Sequence, residues 1–244
     1  YGKRQLLELG FRDGDLLVAS TEGGETPFVI GATEAAVQAS HRCPFFLYGN
    51  PDEILIHLVE RSKRVIENAD IHKINLTTGP MALSGSTRMQ SSTVLMAAIG
   101  IAFLSETVEE EVHSRVDQLI AWWQSVSLEL LAAFIVAESK IYQRGEFVIY
   151  DPGPYGITVL TDTTERSPTF ALAPFENIDK RDDSPSLCYL HLSGSSNPAQ
   201  AWEGLLHRAP RTLEWGELKH LTGSAAIHGF DFSDRVFAHR AERT

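Results

Sequence analysis

The stretch from Leu76 to Ala97 constrains this chain more than any other. An apolar run ends at the break Gly79-Pro80, a cluster of Ser84, Gly85, Ser86, Thr87 and Arg88 follows, and the apolar segment 94–104 has the composition of a helix. Small hydroxyl residues and glycine just before a helix leave backbone N–H groups free at the positive end of the helix dipole, a ready site for phosphate or another anion. Arg88 adds a fork of donors that matches phosphate geometry. The plainer alternative is a Ser/Thr helix cap beside an ordinary surface arginine.

What precedes this stretch alternates strand-like and helix-like segments. A short apolar run at 15–19 leads to the polar, glycine-rich turn Ser20 to Thr26, and Pro27 opens a helix over 28–40. A second apolar run, 44–48, is ended by Gly49-Asn50-Pro51, and a long amphipathic helix is expected over 52–68. A third strand, 71–76, reaches the hydroxyl cluster. Strands alternating with helices of this length predict an α/β fold, a parallel β-sheet flanked by helices on both faces. Ligands of such sheets collect at the carboxyl ends of the strands, where both hydroxyl-rich turns fall.

The second half is less regular. Segment 106–123 is acidic and then amphipathic, and 126–142 reads as a long apolar helix carrying Leu128, Leu131, Ile135 and Val136. The pair Trp122-Trp123 is read as core packing. Strands are expected at 147–150 and 187–192, a tight turn at 151–156, a charged loop at 177–186 and a short helix at 199–207. The stretch from 211 onward has weak periodicity, and no strict repeat is evident. The expected domains are 1–125 and 126–244.

Composition narrows the function. The chain has 244 residues with 21 basic and 32 acidic side chains, a formal net charge of −11. So acidic a surface disfavours nucleic acid and anionic membranes as partners, and any anionic ligand must be held by local donors. Cys43 and Cys188 are far apart and lack metal-ligand spacing, so neither a disulfide framework nor a metal site is implied. The apolar runs are too short for a membrane span and no leader segment is visible, which together give a cytoplasmic expectation.

The stretch Thr78 to Met89 resembles the Gly-Pro-Glu-x-Leu-x-Gly-Ser-(Ser/Thr)-Arg-(Met/Leu) signature of sugar isomerase (SIS) domains. Within that family it is nearest to the N-acetylmuramic acid 6-phosphate etherases and the glucokinase regulatory protein. Val18 to Gly31 is similar to the family's phosphate-loop strand, usually Ala-Ala-Ser-Gly-Arg-Thr-Pro-Tyr-Val-Ile-Gly, and the two matches are correctly spaced. Gly145 to Phe170 resembles the opening strand-loop of a second such domain, an arrangement like that of the glucokinase regulatory protein. Residues 1–125 would then be the latter part of one SIS domain, its first strands missing, and 126–244 the opening part of the next with an irregular extension.

The resemblance implies binding of a sugar phosphate or amino-sugar phosphate through Ser20, Thr21, Gly23, Gly24, Thr26, Ser84, Ser86, Thr87 and Arg88, without a cofactor. It implies a homo-oligomer or a sugar-kinase partner. The glutamate that acts in acid/base catalysis in the etherases matches Glu165, which reads equally as a turn or helix-cap carboxylate. Departures from the pattern argue against catalysis. The loop before Glu165 has become Asp151-Pro-Gly-Pro-Tyr-Gly156, with two N–H donors removed by proline and a negative charge added. In the first loop Gly23-Gly24-Glu25-Thr26 replaces Ser-Gly-Arg-Thr, and Gln90-Ser91-Ser92-Thr93 replaces the usual Lys-Ala-Gly-Thr. The expectation is a non-catalytic, regulatory carbohydrate-derivative binder. The alternatives are an etherase-like lyase (or an isomerase) of sugar phosphates, and an SIS-fold scaffold that binds protein alone.

Overall fold

The computed structural model describes residues 1–83, 86–105, 109–170, 186–210 and 231–235, and the chain divides into two compact units, Tyr1–Val126 and Ser127–Thr244. The architecture is α/β, with parallel strands flanked by helices.

In the first unit α1 (Gly2–Glu8) precedes β1 (Val18–Ser20), α2 (Pro27–Ala39) and β2 (Phe45–Tyr48). Then come α3 (Asp52–Leu58), α4 (Glu60–Ile66) and β3 (His72–Asn75). The strands pair in the order β1-β2-β3, all parallel, with Ser20 beside Leu47 and Tyr48 beside Asn75. Phe46, Leu47 and Tyr48 are buried in succession. Side chains alternate faces along a strand, so a run of this kind means that both faces of β2 are covered. The core joins Ala19, Phe46 and Tyr48 of the strands to Ile30, Leu55, Val65 and Ile66 of the helices.

Two helical expectations are corrected. The single helix over 52–68 is interrupted at Val59, which takes an extended conformation (φ −131°, ψ 96°). A β-branched residue tolerates that conformation well. The break re-aims α4, so that Ser62 Oγ reaches the carbonyl of Gly24 at 2.8 Å while Val65 and Ile66 enter the core. The helix expected from 94 starts earlier: one π-helical turn, Arg88–Ser92, runs directly into α5 (Thr93–Leu104). The free N–H groups of this helix therefore belong to the signature itself. α6 (Glu109–Gln124) follows. Trp122 and Trp123 are not core residues, since each is 60% exposed. The two indoles pack edge to face against each other, ring centroids 6.0 Å apart.

The second unit contains α7 (Leu128–Gln143), capped by the Ser127 hydroxyl, which accepts from the N–H of Leu130. The apolar side chains Leu128, Leu131, Ile135 and Val136 of this helix are exposed. β4 (Val148–Tyr150) pairs in parallel with β5 (Cys188–Leu190), and α8 (Gly156–Phe170) lies between them in sequence. Proline is read as a turn at Pro152-Gly-Pro154, and a short 3₁₀ turn forms over Gly153–Tyr155. α9 (Pro198–Leu206) is capped by Asn197. Cys188, Tyr189, Leu190, Trp202, Leu205 and Phe232 form the core. The expected loop 177–186 lies almost wholly, and the stretch from 211 mostly, outside the described residues. Among the described residues no single helix is long and apolar enough to cross a membrane.

Gly24 is where the first loop is most constrained. Its φ is +82°, and a Cβ there would lie 2.7 Å from Leu55 Cδ1 and 3.2 Å from Tyr48 Cβ. Gly24→Ala combines left-handed backbone strain with a core clash and is expected to cost about 2 kcal/mol. Urea unfolding checks this, and a change within about 0.5 kcal/mol would contradict it.

Candidate functional site

Parallel pairing brings the ends of β1, β2 and β3 to one edge, and four segments meet there: 20–26, 49–52, 75–77 and 86–92. The first loop is held by its carbonyls. That of Glu22 accepts from the N–H of Gly49 at 2.9 Å, Gly23 from Asn50 Nδ2 at 3.0 Å, Gly24 from Ser62 Oγ at 2.8 Å and Glu25 from Arg61 Nε at 2.6 Å. A run of consecutive satisfied carbonyls leaves this loop little freedom to move.

The side chains proposed from sequence take different positions. Thr21 is buried, and its hydroxyl lies 2.7 Å from that of Thr26, so the two span the loop. Ser20 is exposed at the end of β1. Gly23 and Gly24 act through their backbone. Ser86 is buried, its N–H donating to the carbonyl of Leu83. Thr87 stands at the N-cap of the π-turn. Arg88 begins that turn, and its guanidinium lies outside the described atoms, as does Ser84 altogether. Glu165 belongs to the other unit, inside α8, and its side chain is likewise outside the description.

The decisive contacts join Thr87, expected from sequence, to residues that the motif reading passed over. Thr87 Oγ1 donates to Glu22 Oε2 at 2.6 Å, and Ser92 Oγ donates to Glu22 Oε1. Ser91, buried behind them, needs the bare backbone of Gly49, where a Cβ would come within 2.7 Å of Ser91 Oγ. Gln90 closes the signature: its Oε1 accepts from the N–H of Ala82 and its Nε2 donates to the carbonyl of Pro80. The sequence signal was available in the hydroxyls of 91–93, but nothing local reveals which distant side chain they meet. The glutamate flagged from sequence, Glu25, is exposed and contributes its carbonyl to Arg61.

Below this layer Asp52 Oδ1 accepts from Tyr48 Oη and from Asn75 Nδ2, each at 2.6 Å. Asn75 also donates to the carbonyl of Asn50 at 3.1 Å, and its own Oδ1 accepts from the N–H of Thr77 at 2.9 Å. Burial, then the adjacent Asp52 carboxylate, push the Tyr48 phenol above its ordinary range. Among the described residues no group of three or more His, Cys, Asp or Glu side chains is arranged to hold a metal ion.

With this geometry established, comparison with known proteins gives a partial kinship. The chain is 31% identical over 108 residues to an N-acetylmuramic acid 6-phosphate etherase of Picosynechococcus, a match covering 44% of this chain and 32% of that protein. It is 34% identical over 93 residues to the etherase of Serratia proteamaculans, and 27% identical over 93 residues to etherase 1 of Bacillus licheniformis; each match covers 38% of this chain and 27% of the relative. The matches thus span about a third or less of the curated relatives' length. No family model matches the chain, and no solved structure does.

In the second unit, the buried His191 follows β5, and its Nε2 lies 3.0 Å from Asp234 Oδ1, which also accepts from the N–H of Gly194 at 3.2 Å. This histidine is a satisfied polar residue that ties segment 231–235 to the strand end, together with the bond from the N–H of Leu192 to the Phe232 carbonyl.

The Tyr48 shift has a pH consequence. A raised phenol pKa in the fold means that the unfolded chain loses its proton first, near pH 10. Stability from this group is complete below that pH and is lost progressively as pH rises from there through the higher pKa of the folded state. Tyr48→Phe is expected to flatten the fall in unfolding free energy above about pH 10. Chemical denaturation across pH 8 to 11 on both proteins checks this; parallel curves would contradict it.

Proposed function

We propose that the first unit is an SIS-type module that binds a carbohydrate derivative, a sugar phosphate or amino-sugar phosphate, at the edge formed by segments 20–26, 49–52, 75–77 and 86–92, and that it does so without catalysis. One observation carries this reading: Thr87 of the signature and Ser92 just after it reach across to Glu22 of the first loop, sixty-five and seventy residues away. Two hydroxyl-rich turns distant in sequence thus form one polar cluster at the strand ends, where ligands of parallel sheets gather. The positive end of the helix that starts at Arg88 opens onto the same place. The partial kinship to etherases that act on an amino-sugar phosphate favours the same ligand class.

The regulatory part of the reading rests on what the loops have lost. A sugar-kinase partner or a second copy of the chain is the interaction it calls for. An etherase-like lyase is the second reading, favoured by the relatives' names and placing an acid/base role on Glu165. Lactate release from N-acetylmuramic acid 6-phosphate, abolished by Glu165→Gln, would establish the lyase and overturn the non-catalytic reading.

Binding is tested by thermal unfolding in millimolar hexose 6-phosphates, amino-sugar 6-phosphates and the parent sugars. A ligand held at a hundred times its Kd stabilises the native state by about 2.7 kcal/mol, so at least one is expected to raise the Tm. Thr87→Val is expected to reduce that shift. No stabilisation by any member of the panel would contradict the proposal.

A further inference from the structure

Glu22 stands where the ligand's anion would be expected to find its donors. Its two carboxylate oxygens accept separately from Thr87 Oγ1 and Ser92 Oγ. A carboxylate and a phosphate ask the same thing of a hydroxyl, a short charge-assisted hydrogen bond, so the donors cannot serve both at once. Nor is this a loosely placed surface charge. The side chain is half-buried, the Glu22 carbonyl is bonded to the N–H of Gly49, and Gly49 packs against Ser91, the residue next to Ser92. Backbone and side chain of Glu22 are therefore both fixed by the segments that make the site.

A phosphate entering beside Glu22 meets two penalties. It competes for hydroxyls already engaged, and it faces a like charge at contact distance, in a chain whose net charge of −11 offers no compensating field. A neutral or cationic sugar group meets neither, because hydroxyl and ammonium donors can bond to the carboxylate where it stands.

We infer that Glu22 is the specificity-determining residue of this site: an internal anion that occupies the Thr87 and Ser92 hydroxyls, weakens binding of phosphate monoesters, and favours amino-sugar groups that donate to it. This rests on the carbohydrate-binding reading above. Removing the carboxylate turns the site into a better phosphate site.

The experiment is isothermal titration calorimetry of inorganic phosphate, glucosamine 6-phosphate and glucosamine on the wild type, Glu22→Ala and Glu22→Gln. Glu22→Ala is expected to tighten phosphate and glucosamine 6-phosphate at least about tenfold, the scale of one charge-assisted contact, and to weaken glucosamine. Glu22→Gln, which keeps the shape and drops the charge, is expected to gain less; it decides the matter should the alanine variant not fold. Adding Thr87→Val is expected to cancel the gain. Equal phosphate affinity in wild type and variants would overturn the role of Glu22 while leaving carbohydrate binding intact. A gain for inorganic phosphate alone, with no sugar bound by any protein, would uphold Glu22 and overturn the carbohydrate reading. Binding of nothing by any of the three would overturn both.

Discussion

Parallel pairing of three short strands is the constraint from which the first unit follows. A parallel strand cannot return by a tight turn, so each of β1 and β2 must be followed by a helical crossover. All three strands then end on the same edge, and every post-strand loop is delivered there. The burial of Phe46, Leu47 and Tyr48 in succession fixes the middle strand between two covered faces, which leaves the strand ends as the polar outlet of the unit. The Tyr48–Asp52–Asn75 bonds show how that outlet is floored: the last residue of β2, the first turn of α3 and the end of β3 share one carboxylate oxygen.

On that floor the loops are fixed by different means. The first is held through its carbonyls and through the left-handed Gly24, the second through the bare backbone of Gly49, and the signature through Gln90. Their common point is Glu22, whose carbonyl accepts from the N–H of Gly49 and whose carboxylate accepts from Thr87 and Ser92. Charge-assisted hydrogen bonds to an ion are roughly twice as strong as neutral ones, so this contact does double duty. It holds the signature turn against the first loop, and on the inference drawn above it sets what the half-buried Thr87 and Ser92 hydroxyls can offer a ligand.

Much of the fold was legible because it depends on local pattern. The alternation of apolar runs with amphipathic segments, punctuated by Pro27, Gly49-Asn50-Pro51 and Gly79-Pro80, is enough to place the strands and α2 to within a few residues. The errors came where tertiary contact overrides local preference. The break at Val59 goes with the bond from Ser62 to the Gly24 carbonyl, and the early start of α5 with a π-turn whose hydroxyls have a distant acceptor. The tryptophan pair misled because large aromatics suggest a core, whereas both indoles are exposed on α6 and pack against each other. Of the site, the hydroxyls and glycines were visible as residue types. Their partner was not, because a hydrogen bond over seventy residues leaves no mark in any local window.

The contact between Glu22 and the hydroxyls of Thr87 and Ser92 is what joins the first loop to the helix start. A double-mutant cycle of unfolding free energies over wild type, Glu22→Ala, Thr87→Val and the double variant measures it directly. The predicted coupling is favourable by about 1 kcal/mol or more, as for a hydrogen bond to a charged group. Strict additivity of the two substitutions, within about 0.3 kcal/mol, would show that Glu22 does not hold the signature turn.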